Sequence, residues 1–186
     1  MKRAAELDPL SLVFNTNLGN AYLHNNRLDE AIAQFRKAIE MDPNFYFAQW
    51  SYGQALLLQE KIPEAIAEFE KAASITDDPI PLAMLGLGYG VSGRRDDAQK
   101  ILARLRESRA QRFTPAYSLA LVCVGLGDQD QAVNWLEESY RERDGNNIAS
   151  IRTDPSLVPL HGNARFEALA EKIVPAREFK RITTSK

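Results

Sequence analysis

Few residues of this chain have the type and spacing that catalysis, metal binding or cofactor binding requires. A Gly-x-Gly-x-x-Gly pattern runs from Gly88 to Gly93, but no strand pattern precedes it, and the dinucleotide fingerprint needs a strand, a turn and a helix in succession. His24 and His161 have no cysteine or histidine at ligand spacing, which argues against a zinc site. The many carboxylates form no convergent pair. The sequence therefore predicts a protein that is not an enzyme and has no metal site and no cofactor.

A small residue, glycine or alanine, recurs at a nearly fixed interval along the chain. This period indicates the secondary-structure elements that position the other side chains. The intervals are 34, 33 and 34 residues, and each small residue is followed after 12 positions by an alanine and after 16 by a large apolar residue. The sets are Gly19, Gly53, Gly86 and Ala120; Ala31, Ala65, Ala98 and Ala132; and Phe35, Phe69, Leu102 and Leu136. Matched positions at a period near 34 are typical of a solenoid built from helix pairs.

The spacing within one period has a physical reason. Antiparallel helices cross closely where side chains are small, so we expect the small residue of the first helix to face the alanine of the second. The large residue then fills the space beside the crossing. Turn residues end the first helices, namely Asn25, Asn26, Gly93 and Gly127. No segment has the two-residue alternation of a strand, so the expected fold class is all-α.

These positions resemble the tetratricopeptide repeat. Repeat one has Leu18, Gly19, Tyr22, Ala31, Phe35, Ala38 and Pro43; repeat two has Tyr52, Gly53, Leu56, Ala65, Phe69 and Ala72; repeat three has Leu85, Gly86, Tyr89, Ala98 and Leu102; repeat four has Ala120, Cys123, Ala132, Leu136 and Ser139. The resemblance implies a right-handed superhelical α-solenoid of about four helix-turn-helix repeats with a C-terminal capping helix. It also suggests that binding is the function.

The period gives a structural interpretation for two features that could otherwise be taken as signs of cofactor binding or catalysis. The glycines between residues 88 and 93 fall at the end of a first helix, so we interpret them as turn residues. Cys123 takes a position where the repeat buries a large residue, so we interpret it as a small core hydrophobe. As the only cysteine of the chain, it cannot form an intrachain disulfide.

The predicted organisation has three parts. Residues 1–11 are a remnant of a preceding repeat, residues 12–144 form four repeats (12–45, 46–78, 79–112 and 113–144), and residues 145–186 form a capping segment. Because Leu7, Asp8 and Pro9 match the last part of a repeat, we expect a fragment of a larger bacterial protein. The alternative is a short N-terminal helix in a complete protein. If the chain begins within a repeat, Leu12, Val13 and Phe14 lack part of their usual cover, and this favours self-association through the N-terminal end.

The end of the chain resembles the closing segment of repeat arrays attached to bacterial regulators, adenylate cyclases and serine/threonine kinases. The matching residues lie between positions 135 and 144 and between positions 154 and 169. Terminal repeats need a cap with a polar outer face. We expect one or two short helices after about Asp154, with Phe166, Leu169 and Ile173 on the buried side.

Charge and hydropathy bear on the class of partner. The net charge is −2, but residues 28–78 carry ten acids and four bases, and residues 93–112 carry seven bases and three acids. The basic stretch has no interleaved aromatic residues for base stacking, so we interpret it as a solvated helix face and expect no nucleic acid. No apolar stretch is long enough to span a bilayer, and no membrane partner is expected. The cytoplasm is the expected compartment, with the periplasm as the alternative for a membrane-anchored parent.

The remaining candidate site is the concave groove that the first helices line in the family. The resemblance places these residues in it: Thr16, Asn20 and Leu23; Phe47, Trp50 and Gln54; Ala83 and Leu87; Thr114, Tyr117 and Leu121. Members that grip a C-terminal carboxylate use lysine, asparagine and arginine here, and only Asn20 matches. An aromatic and aliphatic groove favours an extended or helical apolar segment. Trp50, Phe47 and Tyr117 are then expected to be partly exposed; the alternative is that they pack between repeats.

Two functions remain open at this point. The first is a non-catalytic protein–protein interaction scaffold whose partner is a protein or peptide. The second is a regulatory or substrate-presenting module of a multidomain cyclase, kinase or glycosyltransferase whose catalytic domain lies outside this chain.

Overall fold

The computed structural model describes residues 11–111, 114–143 and 147–176, and these residues form helices and turns without a strand. The predicted N-terminal remnant therefore lies almost entirely outside the described residues. The α-helices are α1 (Leu12–Leu23), α2 (Leu28–Met41), α3 (Tyr46–Leu58), α4 (Ile62–Ile75), α5 (Pro79–Val91), α6 (Arg95–Gln111), α7 (Ala116–Gly125), α8 (Gln129–Glu142) and α9 (Ala164–Ile173). Two 3-10 helices, Asn147–Ser150 and Pro155–Leu160, lie between α8 and α9.

The helices pack as a stack of pairs. Each of α1, α3, α5 and α7 contacts the helix that follows it, and each of these pairs contacts the next. The first helices also contact one another in order, α1 with α3, α3 with α5 and α5 with α7. This arrangement is an α-solenoid, as the sequence period predicts.

The turn inside each pair has the same backbone conformation. Its residues with positive φ are Asn26, Glu60, Gly93 and Gly127, with φ of 56°, 61°, 82° and 74°. The N–H of each donates to the carbonyl three residues earlier, and the next N–H donates to the carbonyl five residues earlier. These are Schellman turns, which end the first helix of every pair. Sequence reasoning missed Glu60, because a glutamate rarely has this conformation.

In the first two pairs, the glycine of the first helix contacts the aromatic ring of the second helix. A Cβ added to Gly19 would lie 2.4 Å from Cε1 of Phe35. One added to Gly53 would lie 2.6 Å from Cε1 of Phe69. The expected contact of glycine with alanine is present in the second pair, where a Cβ on Gly53 would also lie 3.1 Å from the backbone oxygen of Ala65. In both pairs the nearest atoms belong to the aromatic ring, so the glycine chiefly makes room for the ring.

A second pair of glycines brings α5 and α7 together. A Cβ on Gly90 would lie 2.3 Å from the carbonyl carbon of Gly125, and a Cβ on Gly125 would lie 2.5 Å from the carbonyl oxygen of Leu87. The two backbones therefore touch. Since Gly88 and Gly90 lie inside α5, the interpretation of residues 88–93 as turn residues is wrong for both and holds only for Gly93, which has φ of 82°.

The hydrophobic core is unevenly distributed. One large cluster runs from α3 to α9, whereas a small separate cluster holds Leu23, Ala31, Phe35 and Ala55. Cys123 belongs to the large cluster and is fully buried. Burial, with a smaller contribution from Asp128, raises the pKa of its thiol to about 11. The thiol is therefore a neutral core group, as the sequence predicts.

The C-terminal segment packs over the last pairs. Helix α9 and the 3-10 helix Asn147–Ser150 contact α8, and the 3-10 helix Pro155–Leu160 contacts α7. Phe166 and Leu169 are buried and Ile173 is half-buried, on the side of α9 that the sequence predicts. Arg165 fastens the outer side of α9 to α8 through an ion pair of 2.9 Å with Glu137.

Candidate functional site

A cavity of about 350 Å³ lies against the first helices of all four pairs. It is lined by Asn17, Asn20, His24, Phe47, Trp50, Gln54, Ile80, Met84, Tyr117, Leu121, Ser150 and Asp154. Within each helix these residues are three or four positions apart, so they share one helix face. We call this cavity, with its lining residues, the inner groove.

The inner groove contains most of the residues that the sequence places there. Of the eight principal candidates, it is lined by Asn20, Phe47, Trp50, Gln54, Tyr117 and Leu121. The other two lie elsewhere. Thr16 is fully buried and its hydroxyl donates to the carbonyl oxygen of Leu12 at 2.8 Å. Leu87 lines a neighbouring cavity.

The expected exposure of the groove residues needs correction. Tyr117 and Leu121 are only 2% and 1% exposed, because α7 is covered by α5, α8 and the Pro155–Leu160 helix. The additional family positions also belong to the packed interior, since they are buried: Leu23, Ala83 and Thr114. The apolar part of the groove that solvent reaches is therefore formed chiefly by α3 rather than by all four first helices.

The α3 side of the groove is an aromatic wall. Phe47 and Trp50 are both half-buried, and their ring centroids are 5.6 Å apart at an interplanar angle of 39°. Phe45 also packs against Phe47, with ring centroids 6.1 Å apart and an angle of 72° between the rings. Edge and tilted arrangements of this kind are favourable for aromatic pairs. Trp50 therefore presents part of a packed aromatic surface to the groove.

The floor of the groove is a hydrogen-bonded group that connects distant parts of the chain. Nε2 of Gln54 donates to Oδ1 of Asp154 at 3.1 Å and to Oγ of Ser156 at 2.7 Å. The Tyr117 hydroxyl donates to Oδ2 of Asp154. The backbone N–H of Ser156 donates to Oδ1 of Asp154 at 2.8 Å. The C-terminal segment thereby reaches α3 and α7 across the inner groove.

Sequence reasoning did not identify Asp154 as a groove residue. Its position before Pro155 indicates only a helix start, and the side chain does cap the Pro155–Leu160 helix. Its contact with Gln54 joins residues 100 positions apart. No local signal predicts such a contact.

A second cavity of about 250 Å³ lies on the other side of Gln54. It is mostly apolar and is lined by Gln54, Leu57, Leu58, Leu87, Val91, Val124, Pro155, Ser156, Val158 and Pro159. Gln54 lines both cavities, with Asp154 in the first and Ser156 in the second. The bridge from Gln54 to the C-terminal segment therefore divides the concave face into a polar-aromatic part and an aliphatic part.

The arginines of α6 form contacts within the solenoid. Arg95 donates to the carbonyl oxygen of Leu126 at 3.0 Å, and Arg106 donates to Oε1 of Gln131 at 2.6 Å. Arg109 pairs with Glu142, and this contact lowers the pKa of that carboxyl group. These side chains connect α6 to the fourth pair.

Within residues 11–111, 114–143 and 147–176, no group of three or more His, Cys, Asp or Glu side chains is arranged to hold a metal ion. In the same part of the chain, no helix has both the length and the apolar character that crossing a bilayer needs.

The repeat period, the stack of helix pairs and the Schellman turns together define a helical-repeat protein. The profile of the family described as Tetratricopeptide repeat matches residues 1–44, 16–79 and 83–147. The chain belongs to the tetratricopeptide-repeat family.

Solved structures with the same fold are distant in sequence. MamA is 21% identical with a TM-score of 0.52, and the match covers 77% of this chain and 84% of MamA. YrrB, described as a TPR protein with an unusual peptide-binding site, is 19% identical with a TM-score of 0.53, over 100% of this chain and 97% of YrrB. The Cut9–Hcn1 hetero-tetramer of APC/C contains a chain with 18% identity and a TM-score of 0.61, over 99% of this chain and 35% of that one. Comparison with curated protein sequences finds no match.

Proposed function

We propose that this protein is a non-catalytic interaction scaffold that binds an extended or helical segment of a partner protein in the inner groove. The observation that carries the proposal is the convergence of side chains from α1, α3, α5 and α7 on one cavity with an aromatic wall. A half-buried tryptophan on a fixed surface is the kind of residue that dominates binding energy at protein interfaces. The peptide-binding site named for YrrB is in keeping with this proposal.

The size of the groove sets the length of the bound segment. Packed helices lie about 8–10 Å apart, so three steps from α1 to α7 cover about 24–30 Å. An extended chain advances about 3.3–3.6 Å per residue. A segment of about eight residues therefore spans the groove, with Asn17 and Asn20 available to its backbone at one end.

Trp50 is the residue on which binding depends most in this proposal. We expect Trp50→Ala to weaken binding of a groove peptide by about 2 kcal/mol or more, because the substitution removes the largest accessible apolar side chain of the wall. Trp135 provides the matched control. It is the only other tryptophan and lies on α8, outside the residues that line the groove.

The test is a selection of peptides of about eight to twelve residues from a phage-displayed library on the wild-type protein. Binding of the selected peptides to wild type, Trp50→Ala and Trp135→Ala is then measured by isothermal titration calorimetry. The expected result is loss of affinity for the Trp50 variant and retention for the Trp135 variant, with both folded by circular dichroism. Equal affinity for all three proteins, or the absence of any selected peptide, would overturn the proposal.

A further inference from the structure

We infer that the segment bound in the inner groove carries a lysine or arginine side chain, which Asp154 receives as an ion pair beside the aromatic wall. The inference rests on the proposed function and adds the charge of the ligand. It follows from three features: the hydrogen bonds that Asp154 accepts, the charges around the groove, and the distribution of cation–π contacts.

Asp154 is oriented by neutral donors. Its three hydrogen bonds come from the Gln54 amide, the Tyr117 hydroxyl and the Ser156 backbone N–H. These donors fix the carboxylate but leave its negative charge uncompensated. A carboxylate has about four acceptor sites, so one site on Oδ2 stays open beyond the Tyr117 contact. The side chain is half-buried rather than enclosed, and it lines the groove.

Among the described residues, those that line the groove include one histidine, His24, but no lysine and no arginine. The ion pairs of the described residues use seven other acids and leave Asp154 unpaired: Glu30, Glu68, Asp97, Glu142, Glu138, Glu171 and Glu137. A partly desolvated carboxylate attracts a cation more strongly than an exposed one, because water screens it less. Electrostatic complementarity therefore favours a cationic ligand and disfavours an acidic one.

The cation–π contacts also differ between the groove and the rest of the surface. Each cation–π contact of the described residues is formed by a ring outside the groove, namely Tyr22, Tyr52, Tyr89, Trp135 or Tyr140. The ring of Tyr89, for example, lies 3.9 Å from the guanidinium carbon of Arg94. Phe47 and Trp50 have no such partner in this part of the chain.

The aromatic wall and Asp154 are neighbours. Trp50 lies one helical turn before Gln54, so the two side chains share a face of α3, and Gln54 contacts Asp154 directly. A lysine or arginine stem can therefore lie along Trp50 while its charged end reaches Oδ2. Tryptophan is the best aromatic partner for a cation. Within the described part of the chain, the groove thus combines an accessible aromatic surface with a carboxylate and has no lysine or arginine that competes for them.

The test uses three fluorescein-labelled ten-residue peptides with the same leucine positions. Their other positions carry four lysines, four glutamines or four glutamates. Affinities are measured by fluorescence anisotropy for wild type, Asp154→Asn and Glu64→Gln. Asparagine keeps Oδ1 as acceptor for Gln54 and Ser156. Glu64 is an exposed acid of α4 outside the groove, so its variant loses the same charge without altering the groove.

We expect the lysine peptide to bind wild type at least about tenfold more tightly than the glutamine peptide, and the glutamate peptide to bind most weakly. Asp154→Asn should abolish the advantage of lysine, while Glu64→Gln should retain it. If the glutamine or glutamate peptide binds as tightly as the lysine peptide to wild type, the inference fails while the proposed function stands. If no peptide binds, both fail. A lysine advantage that survives in Asp154→Asn would also overturn the role of Asp154. The wild-type comparison decides the charge preference even if that variant does not fold.

Discussion

The first and fourth helix pairs have the same repeat pattern but very different burial. In α1, Val13 and Phe14 are 49% and 42% exposed. In α7, every residue from Ala116 to Val124 is buried. Among the described elements, helix α1 packs mainly on α2 with a smaller contact to α3, whereas α7 packs on α5, α8 and the Pro155–Leu160 helix. Burial is therefore set by the neighbours of a repeat as much as by its own sequence.

The same contrast extends to the cores and turns. The first pair belongs to a cluster of four buried residues, and the later pairs share the large cluster. The positive-φ turn residue is Asn26 or Glu60 in the first two pairs and a glycine in the last two. In a repeat protein, stability is approximately a sum of repeat terms and interface terms. We therefore expect the first pair to open at a lower free energy than the fourth.

The largest effect is expected at the contact between α5 and α7. Gly90→Ala places a Cβ 2.3 Å from the backbone of Gly125. A helix backbone cannot relieve this clash by changing rotamer, as a side chain can. We expect a loss of about 3 kcal/mol in the free energy of unfolding, measured by urea denaturation.

Gly88→Ala is the matched control for that substitution, two residues away in the same helix. Its Cβ would lie 3.2 Å from Cγ1 of Ile66 and 3.3 Å from Cδ2 of Phe69, so these side chains need to shift by only a small distance. Alanine also gains about 1 kcal/mol in helix propensity over glycine. A stability within about 1 kcal/mol of wild type is therefore expected. Similar losses for the two variants would show that the Gly90–Gly125 contact is not special and would weaken the contrast between the first and fourth helix pairs.

A smaller effect of opposite sign is expected in the second turn. Glu60 has φ of 61°, where a side chain with a Cβ is strained by about 1 kcal/mol or more. Glu60→Gly relieves this strain but increases the entropy of the unfolded chain, so a net gain of about 0.5 kcal/mol is expected by thermal denaturation. Asn26→Gly should change stability less, because asparagine tolerates this conformation. A loss of stability for Glu60→Gly would mean that the turn is not strained.

The sequence predicts the helices for a local reason, whereas the candidate groove residues come from the family resemblance. The small, alanine and large positions repeat at a fixed interval, and groove residues such as Phe47, Trp50 and Gln54 follow helical spacing. A pattern within one helix shows which residues share a face. When the helices stack, the residues that share this face in each of the four first helices lie on one surface.

The remainder of the site depends on contacts between distant segments. The path of the C-terminal segment decides that Tyr117 is buried and that Asp154 meets Gln54, and no repeat position encodes this path. The contact between Gly90 and Gly125 likewise depends on how α5 crosses α7. Leu87 and Thr16 were misplaced because a helix face is wider than one groove: Thr16 turns back to its own helix, and Leu87 faces the second cavity.

Hydrogen–deuterium exchange, with and without a peptide selected on the wild-type protein, shows which helices the bound peptide covers. Binding in the inner groove predicts slower exchange in α1, α3, α5 and α7 and in residues 147–160, since these elements line the groove. Exchange in α2, α4 and α6 is predicted to stay unchanged. Protection confined to those second helices, with none in α3, would place the binding site on the other face and contradict the account.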